Sequence, residues 1–309
     1  MSFVAGPGYV NLPRGGGAWV VEDLLPVGGL LNIFGQPKKG KSFLSLQLAQ
    51  AIADPYETEV LGFPILRHGP VAYLQLDTPR GLWAERLDLL GRQGNPFNGV
   101  HFADTELVPY PFNIMGEGYG WLQQNLRQIT PYPLVLIVDT LREAHAGDEN
   151  DSGTMRNVIN LLVEAARPAA IIALTHARKE WANGDQLSTG SDLMSANRGS
   201  SYVAGRMDCV LKVNDNSVEY QGRTVGEARL IIKREESGFF VVTDDFDRTA
   251  RDLVDQMRGQ SLSRIAKQLQ EKFPRKSMEA CRSMIRRLSK IPTTPVRQVR
   301  AGRKIELET

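Results

Sequence analysis

The octet Gly35-Gln36-Pro37-Lys38-Lys39-Gly40-Lys41-Ser42 constrains this chain more than any other stretch, because it fits G-x-x-x-x-G-K-[ST] without a mismatch. Such a loop works only between a buried strand and a helix, and both are written beside it. Leu30 to Phe34 is a short apolar run ending in Gly35. Ser42 to Ala53 carries Phe43, Leu44, Leu46, Leu48, Ala49 and Ile52, the pattern of a helix packed on a sheet. The glycines let backbone N–H groups close around phosphate oxygens, and the helix N-terminus adds a favourable partial charge. Lys41 is expected to reach the β- and γ-phosphates and Ser42 to ligand Mg²⁺. The expected ligands are thus ATP and Mg²⁺, held along Gly35 to Phe43.

The flanking pattern repeats strand and helix. Val71 to Leu76, Val100 to Ala103, Leu134 to Val138 and Ala170 to Thr175 read as strands. Pro79 to Leu90, Tyr119 to Ile129 and Thr154 to Ala166 read as the helices between them. This alternation predicts an α/β fold with a mostly parallel sheet covered on both faces. Val210 to Val213, Val218 to Gln221, Ala228 to Arg234 and Phe239 to Thr243 add strands joined by turns. The polar stretch from Arg178 to Asn197 is long for a loop inside a compact domain, which favours a functional role. Residues 1–18, rich in Gly and Pro, predict an N-terminal arm, residues 19–244 the nucleotide-hydrolysing domain, and residues 249–309 a small tail domain.

Acids at strand ends complete the expected site. Asp139 follows the apolar run Leu134 to Val138, at the carboxyl edge where open parallel sheets bind ligands. A Walker B role, holding Mg²⁺ directly or through water, is the expectation. Asp77 ends the run Val71 to Leu76 and is expected nearby as the group that polarises the attacking water; the alternative is a cap on the next helix. His176 ends the run Ala170 to Thr175, placed to sense the γ-phosphate or simply to satisfy a strand end. Cys209 and Cys281 match no metal or redox spacing, and no apolar run is long enough to span a bilayer, so a reduced, cytoplasmic setting with no membrane is expected.

With these positions fixed, the chain resembles the hexameric RecA-like ATPases of the RepA and DnaB type, the superfamily-four helicases. The resemblance runs from about Trp19 to Thr243. It rests on Trp19-Val20-Val21-Glu22-Asp23-Leu24-Leu25, the octet, Tyr73-Leu74-Gln75-Leu76-Asp77, Asp139-Thr140-Leu141 leading to Gly147-Asp148-Glu149-Asn150-Asp151, Thr175-His176-Ala177-Arg178-Lys179 and Arg198-Gly199-Ser200-Ser201. It implies a RecA-like P-loop core, a ring of subunits, most often a hexamer, with ATP between neighbours, and single-stranded DNA in the channel. Asp77 stands where the family usually has Glu as catalytic base, a departure that puts the water position in doubt. His176 matches the phosphate-sensing position. The family's basic finger, given in trans, is similar to Lys233-Arg234, with Arg206 as second candidate; surface salt bridges are the alternative for each. Arg178, Lys179 and Arg198 would border the channel.

The tail differs in charge from the body. Residues 249–309 hold 15 Lys and Arg against 6 Asp and Glu, a balance of +9, while the other 248 residues hold 22 against 29, a balance of −7. A polyanionic partner for the tail is the expectation, with a solvated helix surface as the alternative. Asp252 to Arg258, Ser261 to Glu271 and Met278 to Leu288 read as helices, with Phe273-Pro274-Arg275 as a helix-turn-helix connection. The stretch from Val296 to Leu307 reads as a two-stranded wing, and the whole is similar to a winged-helix module. Arg282, Arg286 and Arg287 on the last helix, with Arg297, Arg300, Arg303 and Lys304 on the wing, are the expected DNA phosphate contacts, duplex or forked; protein docking is the alternative. Three functions are compatible with these features: a hexameric DNA helicase or translocase, a recombination or repair ATPase forming filaments on DNA, and an ATP-switched DNA-binding regulator.

Overall fold

The computed structural model describes residues 19–91, 97–177, 201–223, 228–236, 238–242, 250, 253–254, 256–257, 260–272 and 278–289. Two small ribbons, β1 (Trp19–Val21) with β2 (Leu25–Pro26) and β4 (Glu59–Val60) with β5 (Phe63–Pro64), are joined by a bridge from Val21 to Ile65. The other strands are β3 (Leu30–Gly35), β6 (Val71–Gln75), β7 (Val100–Ala103), β8 (Val135–Asp139), β9 (Ala170–His176), β10 (Cys209–Val213), β11 (Ser217–Gly222), β12 (Ala228–Arg234) and β13 (Phe240–Val242). These form one nine-stranded sheet in the order β13-β12-β11-β10-β3-β9-β8-β6-β7. From β10 to β7 every pairing is parallel, and β11, β12 and β13 extend the sheet as an antiparallel meander.

Parallel strands need crossovers, and the helices supply them. Helices α1 (Lys41–Ala53) and α2 (Arg80–Gly91) cover one face; α3 (Glu117–Leu126), α4 (Ser152–Ala166) and α5 (Ser201–Arg206) cover the other. Strand residues alternate between the two cores. Tyr73, Ile137, Ile172 and Leu211 pack towards α1, while Leu74, Leu136, Ile171 and Val210 pack towards α4. Both faces are dry, which is why β8 and β9 read as unbroken apolar runs rather than as alternating ones. Placing β9 between the loop-bearing β3 and the Asp139-bearing β8 is the RecA-like strand order. The α/β expectation holds.

Some boundaries differ from the sequence expectation. α3 ends at Leu126 instead of Ile129, and Asp139 lies within β8 rather than beyond it. The ribbons β1–β2 and β4–β5 carry no periodic signal, since strands of two or three residues are too short to show one. In the tail, α6 (Leu262–Lys272) and α7 (Met278–Ser289) are formed as expected, and Ile265, Ala266, Leu269, Cys281, Met284, Ile285 and Leu288 make a core of their own with Ala250, Leu253 and Met257. The wing lies outside the described residues. Among those described, no helix is long and apolar enough to cross a membrane.

Candidate active site

The loop after β3 is shaped by two glycines. Gly40 has φ +92°, a left-handed conformation, and a Cβ there would meet the Phe240 ring at 2.6 Å. At Gly35 a Cβ would stand 2.5 Å from the Val213 carbonyl oxygen, so the end of β10 can close against the loop only if that residue has no side chain. Lys41 opens α1 and is buried; its Nζ donates to the carbonyls of Gly35 and Gln36 at 3.0 Å each. His176 Nδ1 lies 3.5 Å from the same ammonium. Burial pulls the Lys41 pKa down, and Asp139 and Asp77 oppose the shift. The lysine is thus gathered inside the loop among acceptors that a phosphate oxygen would replace. Lys39 is turned away, paired with Asp215 in the β10–β11 turn at 2.5 Å.

The carboxylate of Asp139 faces the same point. It accepts from the Ser42 hydroxyl and, at 2.9 Å, from the Tyr73 hydroxyl. Burial pushes its pKa up, and these two hydrogen bonds oppose that. A hydroxyl and one carboxylate, both hard oxygen donors side by side, form the sparse set suited to Mg²⁺, which keeps waters and phosphate oxygens for the rest of its shell. Among the described residues no cluster of three or more His, Cys, Asp or Glu offers another metal site. Ser42 and Asp139 would hold the cation, which would supply charge neutralisation for a phosphate.

Sheet register explains the rest. Gln75 pairs with Asp139, and Asp77 lies two residues past Gln75 on the same edge, exposed, and near enough to act on both Lys41 and Asp139. Gly35 pairs with His176, which carries the histidine to the loop. Lys41, Ser42, Asp77, Asp139 and His176 therefore lie together on one sheet edge. Three neighbours escaped the sequence reading. Tyr73 holds Asp139, although period-two alternation from Asp77 back through Gln75 is a signal for it. Gln75 is fully buried, with neither amide atom partnered among the described residues. Arg86 on α2 lies 6.0 Å from the Phe43 ring and 5.8 Å from that of Trp83, close enough to act on Asp139.

The finger candidates separate. β12 runs towards the loop edge, and its pleat sends Lys233 and Arg234 to opposite faces. Arg234 lies over Phe43 of its own chain, 3.6 Å from the ring centroid; burial and the charge of Arg86 lower its pKa. The β12–β13 hairpin is clamped to α1, since Gln47 exchanges two hydrogen bonds with the Phe240 backbone, at 2.9 Å each. The Phe43 ring packs against the hairpin at Arg234 and Gly238. Arg206 ends α5 just before β10, at the sheet edge opposite the loop, and cannot reach its own site. Arg282 and Arg286 are exposed on α7. The side chain of Arg287, and Arg178, Lys179, Arg198, Arg297, Arg300, Arg303 and Lys304 entirely, lie outside the described residues.

The AAA domain family matches residues 17–182, more than half of the chain and all of the loop, Asp77, Asp139 and His176. The chain belongs to the AAA domain family. Among solved structures it is similar to a KaiC-like protein of the hyperthermophilic archaeon Pyrococcus horikoshii, with 14% identity and a TM-score of 0.45, over 73% of this chain and 94% of that one. The AAA domain here is a P-loop ATPase of RecA-like strand order, and the matched segment stops before Arg206, Lys233, Arg234 and the tail.

Proposed function

We propose that this AAA domain protein hydrolyses ATP with Mg²⁺ to drive movement along DNA, working as a ring-forming motor, a hexameric helicase or translocase. The observation that carries the reading is the meeting of Lys41, Ser42, Asp77, Asp139 and His176 on one sheet edge. Lys41 and the loop N–H groups bind the phosphates. Ser42 and Asp139 hold Mg²⁺ against them. Asp77 orients the water that attacks the γ-phosphorus, and His176, touching Lys41, reports whether that phosphate is present. A basic residue from the next subunit, Arg206 or Lys233–Arg234, stabilises the charge developing in the transition state. The resemblance to ring helicases and the +9 balance of the tail support DNA as the track.

The separate apolar core of the tail favours a second reading, an ATP-switched DNA-binding regulator, because a module with its own core can bind DNA without a motor. Particle images taken with a non-hydrolysable ATP analogue and single-stranded DNA, together with a strand-displacement assay, test the choice. Closed rings and ATP-dependent unwinding support the motor. Filaments, or monomers that bind duplex without unwinding it, contradict it.

A further inference from the structure

We propose that Tyr73 is a positioning residue for the metal-binding carboxylate of Asp139, and that Ser45 on α1 fixes Tyr73 in turn; this rests on the ATPase reading of the site. The three side chains come from three elements. Tyr73 Oη lies 2.9 Å from Asp139 Oδ2 and 2.7 Å from Ser45 Oγ, and Ser45 Oγ lies 3.0 Å from the Ser42 carbonyl oxygen. The Ser42 hydroxyl donates to the same carboxylate. A closed circuit results, running from the first turn of α1 through β6 and β8 and back to α1.

Proton counting sets its direction. An ionised carboxylate only accepts, so the single phenolic hydrogen of Tyr73 points at Asp139. The one Ser45 hydrogen is then shared between two acceptors, Tyr73 Oη at 2.7 Å and the Ser42 carbonyl at 3.0 Å, as a three-centre bond. Asp139 is held from two sides, by Ser42 and by Tyr73. Ser42 is itself a proposed metal ligand, whereas Tyr73 can hold the carboxylate whatever Ser42 binds. The phenol has little room to move. It is 1% exposed, and its ring packs against Trp83 and Phe102 at centroid distances of 5.1 and 5.7 Å. A second hydrogen-bonded partner of this kind orients a metal ligand and raises the affinity of the site.

Tyr73→Phe removes the hydroxyl and keeps the ring, so packing survives. The measurements are Mn²⁺ affinity by electron paramagnetic resonance in the presence of a non-hydrolysable ATP analogue, and binding of a fluorescent ATP analogue in EDTA. The expected result is a loss of Mn²⁺ affinity of about 10- to 100-fold with metal-free nucleotide binding unchanged. Ser45→Ala is expected to weaken Mn²⁺ binding in the same direction and by less. Mn²⁺ affinity equal to wild type in Tyr73→Phe, or an equal loss with and without metal, overturns the proposal. A wild-type chain that binds neither nucleotide nor Mn²⁺ overturns the ATPase reading itself, and the proposal with it.

Discussion

At the scale of single residues, the site is built from groups whose ordinary hydration has been removed. Lys41, Asp139 and Tyr73 are all buried, and each is matched by a neighbour. Gln75 is the exception: it is 0% exposed, beside Asp139 in register, and both its amide atoms lack partners among the described residues. An unmatched buried amide costs about 1–3 kcal/mol per polar group. Gln75→Leu, close in volume and without polar atoms, is therefore expected to stabilise the fold by about 1 kcal/mol or more, visible as a rise in midpoint in urea. A fall in stability would show that the amide has a partner after all.

Elements place these residues, and one ion pair shows how. Arg80 at the start of α2 grips Asp104, just past β7, through two hydrogen bonds of 2.6 and 2.7 Å, and reaches Glu106 at 2.8 Å. The Arg80 guanidinium holds the Asp104 carboxyl below its usual range. A depressed carboxyl pKa contributes stability that is complete above the ordinary carboxylate range and is lost as the pH falls through the depressed value. Asp104→Asn should thus be less stable than wild type at neutral pH, and the gap should close in acid; a gap independent of pH would contradict this. Much of this scale was legible beforehand. Five buried strands and the helices α1, α2 and α4 follow from apolar runs and the octet. The hold of Tyr73 on Asp139 was not, because it joins residues 66 apart that only the β6–β8 register brings together. Nor was the clamp of Gln47 on Phe240, 193 residues away, which seats Arg234 on its own α1.

For the whole molecule, the proposed ring raises the question of what one subunit would give another. Arg234 already has an intramolecular partner, the Phe43 ring, worth about 0.5–2 kcal/mol as a cation–π pair. A trans finger is worth about 10³- to 10⁵-fold in turnover. Arg234→Ala separates the two: a finger predicts bound but barely hydrolysed ATP, with activity partly restored on mixing with Lys41→Ala chains. Slight destabilisation at normal turnover leaves the residue a packing group and turns attention to Arg206. The tail belongs to this scale too. A chain ending at Asp244 should keep basal ATPase activity and bind DNA with a shallower salt dependence, by roughly 0.9 in slope for each phosphate that the tail neutralises. Equal slopes would mean that the +9 tail touches protein instead. Everything else depends on the loop being a working ATP site, and the most direct test is ATP turnover by Lys41→Ala, with folding verified by circular dichroism. The account predicts no measurable turnover in this variant alongside Mg²⁺-dependent turnover in the wild type; wild-type rates in Lys41→Ala would contradict it.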